Sequence, residues 1–101
     1  MGRKIHLIEK RNLIKPIGNN VYESKYWDVS IQQADELIGG DIYFHRKQKE
    51  PSFYGGKIIG YRIHEEEGEF KGRIIFHFEY SHSHRGVLAG NGGWSYEKKI
   101  V

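Results

Sequence analysis

The chain has 101 residues, of which 38% are hydrophobic and 14% aromatic, with no cysteine and a formal net charge of +3. That is room for one domain around one packed core and too apolar for a disordered chain. It also excludes disulfides, thiolate nucleophiles and Cys-ligated zinc. The start MGRKIHLIEKRN lacks the apolar centre of a leader, and no apolar run nears the roughly 20 residues of a membrane-spanning helix. A soluble, cytoplasmic protein with one domain over residues 1–101 is the expectation.

RKIHLIEK (3–10) alternates partly and reads as a first strand, and Pro16, Gly18, Asn19 and Asn20 then mark a turn. VYESKYWDV (21–29) is rich in strand-favouring residues. Side chains alternate along a strand, so of Tyr26 and Trp27 only one is expected to line a pocket. Trp27 is favoured, because Asp28 and Ser30 stand beside it.

Ser30 and Gln33 have capping-box spacing, and Ile31, Ala34, Leu37 and Ile38 form an apolar stripe at helical period, so a short helix is predicted over about 30–38 and ends at Gly39. DIYFHR sets Ile42 and Phe44 against Tyr43 and His45. KIIGYRIH sets Ile59, Tyr61 and Ile63 against Ile58, Arg62 and His64. HEEEGEFKG, with Gly68, reads as a hairpin connection. GRIIFHFEY puts Ile74, Phe76, Phe78 and Tyr80 on one face. Each of these strands is expected to keep one wetter face. The polar stretch SHSHRGVLAGNGG then precedes a closing strand in WSYEKKIV. The fold class is α+β, mostly β: a small twisted β-barrel of five to six strands with one short helix, closure removing exposed edges.

The basic residues are uneven. Arg3, Lys4, Lys10, Arg11 and Lys15 face only Glu9 in the first fifteen residues, and Arg46, Lys47, Lys49 and Lys57 face only Glu50, whereas the acids gather in Glu65, Glu66, Glu67 and Glu69. This favours an anionic partner on one side. His82 and His84, with His77, raise the question of a metal, but spacing fixes no third ligand and no metal or cofactor site is expected.

Helix, Gly40-Asp41 turn, a strand carrying Tyr43 and Phe44, a basic aromatic loop and a strand with Gly60 and Ile63 together resemble, over residues 26–80, the PUA-like superfamily, most closely its EVE-type domains. The resemblance implies a small barrel that binds DNA or RNA, often by taking a modified or flipped base into a pocket. Extruding a base costs a few kcal/mol, which stacking and base-edge hydrogen bonds offset. On that reading Trp27, Tyr54 and Trp94 stack, Ser30, His45 and Ser52 hydrogen-bond the base, and Lys47, Lys49 and Arg85 meet phosphates. Two other classes stay open. One is a protein-interaction or nucleotide-sequestering module; the other is a small ASCH-like hydrolase built on Lys47, Glu50 and Ser52, or on Ser95, Glu97 and Lys98.

Overall fold

The strand Ile74–Tyr80 (β6) has the plainest alternation in the chain, and the sheet is built around it. In the computed structural model, which describes residues 3–90 and 92–101, the other elements are β1 (Lys4–Ile8), β2 (Ile14–Gly18), β3 (Val21–Trp27), α1 (Ile31–Leu37), β4 (Asp41–His45), β5 (Tyr54–Ile63), a 3-10 turn at His82–His84 and β7 (Lys98–Ile100). The architecture is α+β and mostly β: a single seven-stranded sheet of order β2-β3-β6-β5-β4-β1-β7, with β2 and β7 as unclosed edges. All neighbours run antiparallel except β1 and β4.

The strand absent from the sequence reading is β2, IKPIG, where Pro16 and Gly18 indicate a turn. It is an edge strand with its residues largely exposed, and a proline without an N–H is tolerated at such an edge. The helix follows its signals: Gln33 N–H donates to Ser30 Oγ at 3.1 Å and Ser30 N–H to Gln33 Oε1 at 3.2 Å. Only Ala34 and Leu37 of its stripe are buried; Ile31 and Ile38, at its two ends, are exposed.

One-residue mismatches set the faces. Between the pairs Ser24–Phe76 and Trp27–Ile74, β3 advances three residues while β6 advances two. On the other flank, β5 advances from Ile58 to Gly60 while β6 moves only from Phe78 to His77. Each mismatch is a β-bulge, which bends the strand and increases its twist. The second bulge overturns the expected partition of β5: Ile58 is fully buried and joins Tyr61 and Ile63 against the core, whereas Ile59 is 50% exposed.

Neither face of β1 and β4 is wet, contrary to the reading of DIYFHR. Ile5, Leu7, Ile42 and Phe44 enter the core, and His6, Tyr43 and His45 on the opposite face are buried as well, with His84 stacked on Tyr43 and Trp94 edge-on to His6 and His45.

The glycine pairs are close-approach points. A Cβ on Gly40 would lie 1.9 Å from the Arg3 carbonyl oxygen, one on Gly55 2.3 Å from that of Ile42, and one on Gly56 2.0 Å from that of Glu79. Gly60 sits in open space with an ordinary backbone conformation. Gly56→Ala is therefore expected to destabilise the fold by about 1–3 kcal/mol, the usual cost of overpacking, while Gly60→Ala leaves it near neutral or slightly stabilised. Urea unfolding midpoints of the two variants check this contrast.

Candidate functional site

The β3 bulge changes what a strand can present. With an extra residue between Ser24 and Trp27, strict alternation fails, and both Tyr26 and Trp27 line one cavity of about 870 Å³. Its wall joins the end of β1 and the residues after it (Ile8 to Arg11), the end of β3 (Lys25 to Asp28), Arg73 before β6, and Ser95 to Lys98 entering β7. Trp27 is anchored in the core by its Nε1–H, which donates to Ser24 Oγ at 2.8 Å. Tyr96 stands at the rim with 94% of its surface exposed.

Five cations, Lys10, Arg11, Lys25, Arg73 and Lys98, face three acids, Glu9, Asp28 and Glu97, in that wall. Tyr26 stacks on Phe70 with centroids 4.7 Å apart and planes 7° apart. The Arg11 and Arg73 guanidinium groups lie over the same Phe70 ring at 5.1 and 5.7 Å, and the Lys25 ammonium lies over Tyr26 at 5.6 Å. Neither Arg11 nor Arg73 has a carboxylate partner among the described residues. Two guanidinium groups held on one aromatic ring without a counterion form a place where an anion gains from both charges.

Glu9, 2% exposed, follows β1 on the parity of Ile5 and Leu7. Its Oε1 accepts from the backbone N–H of Arg11 at 2.7 Å and of Asn12 at 2.9 Å. Its Oε2 is buried and has no donor among the described residues, a deficit that costs a fold about 1–3 kcal/mol, and more for a charged group. Glu9 also belongs to the wall of a second cavity of about 230 Å³, with Asn12, Ile14, Tyr22, Phe53 and Tyr54. Arg46 covers this region, its guanidinium 3.9 Å from the Phe53 ring centre and donating to the Glu9 carbonyl at 3.2 Å.

Of the residues predicted for a base, Trp27 lines the large cavity and Tyr54 the small one. Tyr54 belongs to β5, where it packs against Tyr22 and Tyr80; burial, then hydrogen bonding to Tyr22, raises its phenol above the ordinary tyrosine range. Ser30 Oγ is used in the helix cap. Ser52 Oγ, buried, donates to the His84 carbonyl at 2.6 Å and accepts from Val87 N–H at 3.0 Å. Trp94 packs on the histidine face rather than on either cavity, its Nε1–H buried without an acceptor among the described residues. His45 is fully buried. Lys47 and Lys49 are exposed on the loop after β4, next to the large cavity's rim, since Gln48 Nε2 donates to the Tyr96 carbonyl at 3.2 Å. Arg85 is exposed on another side, near enough to Tyr54 for its charge to act on the phenol.

The predicted residues therefore do not meet at one point. The cavity adds Glu9, Lys10, Arg11, Lys25, Tyr26, Arg73 and Tyr96. Lys10 and Arg11 carry a signal in the basic opening stretch, but nothing local marks Arg73, which arrives through the β5–β6 hairpin. Of the residue types considered for a hydrolase, Ser95, Glu97 and Lys98 line the cavity, where Lys98 Nζ donates to the Asp28 carbonyl and Glu97 lies 3.6 Å from Lys10. No family model, curated protein or solved structure matches the chain.

On the histidine face, His45 Nδ1 lies 2.8 Å from the Glu50 carbonyl and so carries the proton, leaving Nε2 to accept from His6 Nδ1–H at 2.9 Å. Burial, with the nearby His45, Lys99 and Lys4, lowers the His6 pKa to about 4, and burial lowers that of His45 despite its bond to Glu50. Both folded values lie below the unfolded one of about 6.5. The stabilisation of the neutral pair is thus complete above pH 6.5 and is lost as pH falls towards 4, because the unfolded chain takes up these protons first. Urea titrations are expected to show a loss of roughly 1–3 kcal/mol between pH 7.5 and 4.5, and a shallower loss in His6→Gln.

Proposed function

We propose that this chain is a nucleic-acid-binding module that takes a base into the large cavity and holds the adjoining phosphates on its cationic rim. The observation that carries the reading is the convergence of Tyr26 and Trp27 with Lys10, Arg11, Lys25, Arg73 and Lys98 around 870 Å³ of space. Flat side chains stack on any base, and unpaired cations bind the backbone without reading sequence. Within this reading the curled sheet is a PUA-like barrel of EVE type, and Trp27 keeps its stacking role. Lys47 and Lys49 extend the phosphate track past Tyr96. The exposed ring of Tyr96 closes over the base.

The Arg11 and Arg73 guanidinium groups hold phosphates, and Lys25 assists. In fluorescence anisotropy with a labelled single-stranded 12-mer, Arg11→Ala with Arg73→Ala should weaken binding at 50 mM salt and shrink the log–log salt slope by about 2. Tyr96→Ala should cost about 1–3 kcal/mol of affinity and leave that slope in place. Affinity that does not move between low and high salt would sink the reading. Turnover of the bound oligonucleotide or of a free nucleotide would replace it with the hydrolase that Ser95, Glu97 and Lys98 allow.

A further inference from the structure

The wall of the large cavity contains one polar atom with nothing to bond, and it differs in kind from the rest of the wall. Around it are cations that attract phosphate; Glu9 Oε2 is a buried acceptor without a donor. We infer that Glu9 reads the base, its Oε2 accepting from the exocyclic amino group of cytosine, adenine or guanine. This rests on the nucleic-acid reading and adds selectivity to it.

Three observations narrow the donor to a neutral base edge. The rim carries five cations, so a cationic amine is repelled where a neutral amino group is not. The Glu9 backbone is pinned on both sides, its N–H donating to the His45 carbonyl at 2.9 Å and its carbonyl accepting from Arg46 at 3.2 Å. Its Oε1 is already committed to two backbone N–H groups, which leaves a single acceptor facing one donor. Thymine and uracil place a carbonyl where cytosine has its amino group, and their ring N–H is flanked by carbonyls on both sides. Against a carboxylate those oxygens repel.

The same bonds define what Glu9→Gln would do. The amide carbonyl must stay where Oε1 is, because an NH2 there would meet two donors. The NH2 therefore takes the place of Oε2, and an acceptor becomes a donor.

The test uses single-stranded 7-mers in which one central base is flanked by abasic units, so that only that base enters the cavity. The wild-type protein should bind the cytosine oligonucleotide roughly tenfold or more tightly than the thymine one. Pyrimidin-2-one, cytosine without its amino group, should lose a comparable factor in the unaltered protein, independently of how any variant folds. Glu9→Gln should reverse or abolish the cytosine preference while keeping the salt dependence. Equal binding of the three oligonucleotides by the wild-type protein overturns the Glu9 assignment and leaves the nucleic-acid reading standing, as does an unchanged preference in Glu9→Gln. No binding to any oligonucleotide at low salt overturns both.

Discussion

The constraint on which the rest depends is that β6 is one residue shorter, step for step, than each strand it pairs with. β3 inserts an extra residue between Ser24 and Trp27, and β5 inserts one between Ile58 and Gly60. A strand between two bulged neighbours bends and twists with them. The β3 bulge brings Tyr26 and Trp27 to one cavity, and the β5 bulge returns Ile58 to the core and turns Ile59 outward. Without these insertions β3 would present one of its two aromatics and β5 would bury the wrong isoleucine.

The two sides of β1 then carry opposite chemistry. On the face away from the core, His6 and His45 share a buried hydrogen bond that suits neutral rings, and the segment around Trp94 covers them. Past the end of the strand, Glu9 keeps a carboxylate oxygen unpaired beside unpaired guanidinium groups. A well-satisfied face holds the fold; the unsatisfied end leaves bonds for something else to make. The acids expected to offset the basic stretches are instead used in local pairs such as Glu67 with Lys71, or bound within the sheet, as Glu23 is to Arg62 and His77. For Glu23, burial would raise the pKa, but these hydrogen bonds and the charges of Arg62 and Lys25 bring it below the ordinary value.

The basic loop after β4 illustrates how far local chemistry can be read. Its cations and aromatics have the composition of a binding site, and its glycines permit close approach. The approach proves to be between strands, with Gly55 against Ile42 and Gly56 against Glu79. Phe53 is paired with Arg46, and Ser52 fastens the loop to residues 84–87. These partners lie more than thirty residues away for Ser52, so no window of sequence around the loop contains them.

By itself the sequence determined what short-range physics controls. The helix came from Ser30, Gln33 and a stripe at helical period. The alternation of β4 and β6, the β5–β6 hairpin and the mostly β class came from patterns spanning a few residues, because capping and side-chain alternation are local. Only the tertiary structure decided the edge strand carrying Pro16, the register slips on both flanks of β6, the burial of His45 and Ser52, and the meeting of Glu9, Tyr26, Trp27 and Arg73 around one cavity. A bulge has no fixed spacing in sequence; it arises where packing against a neighbouring strand favours an extra residue, and one such residue reverses the faces that alternation assigns.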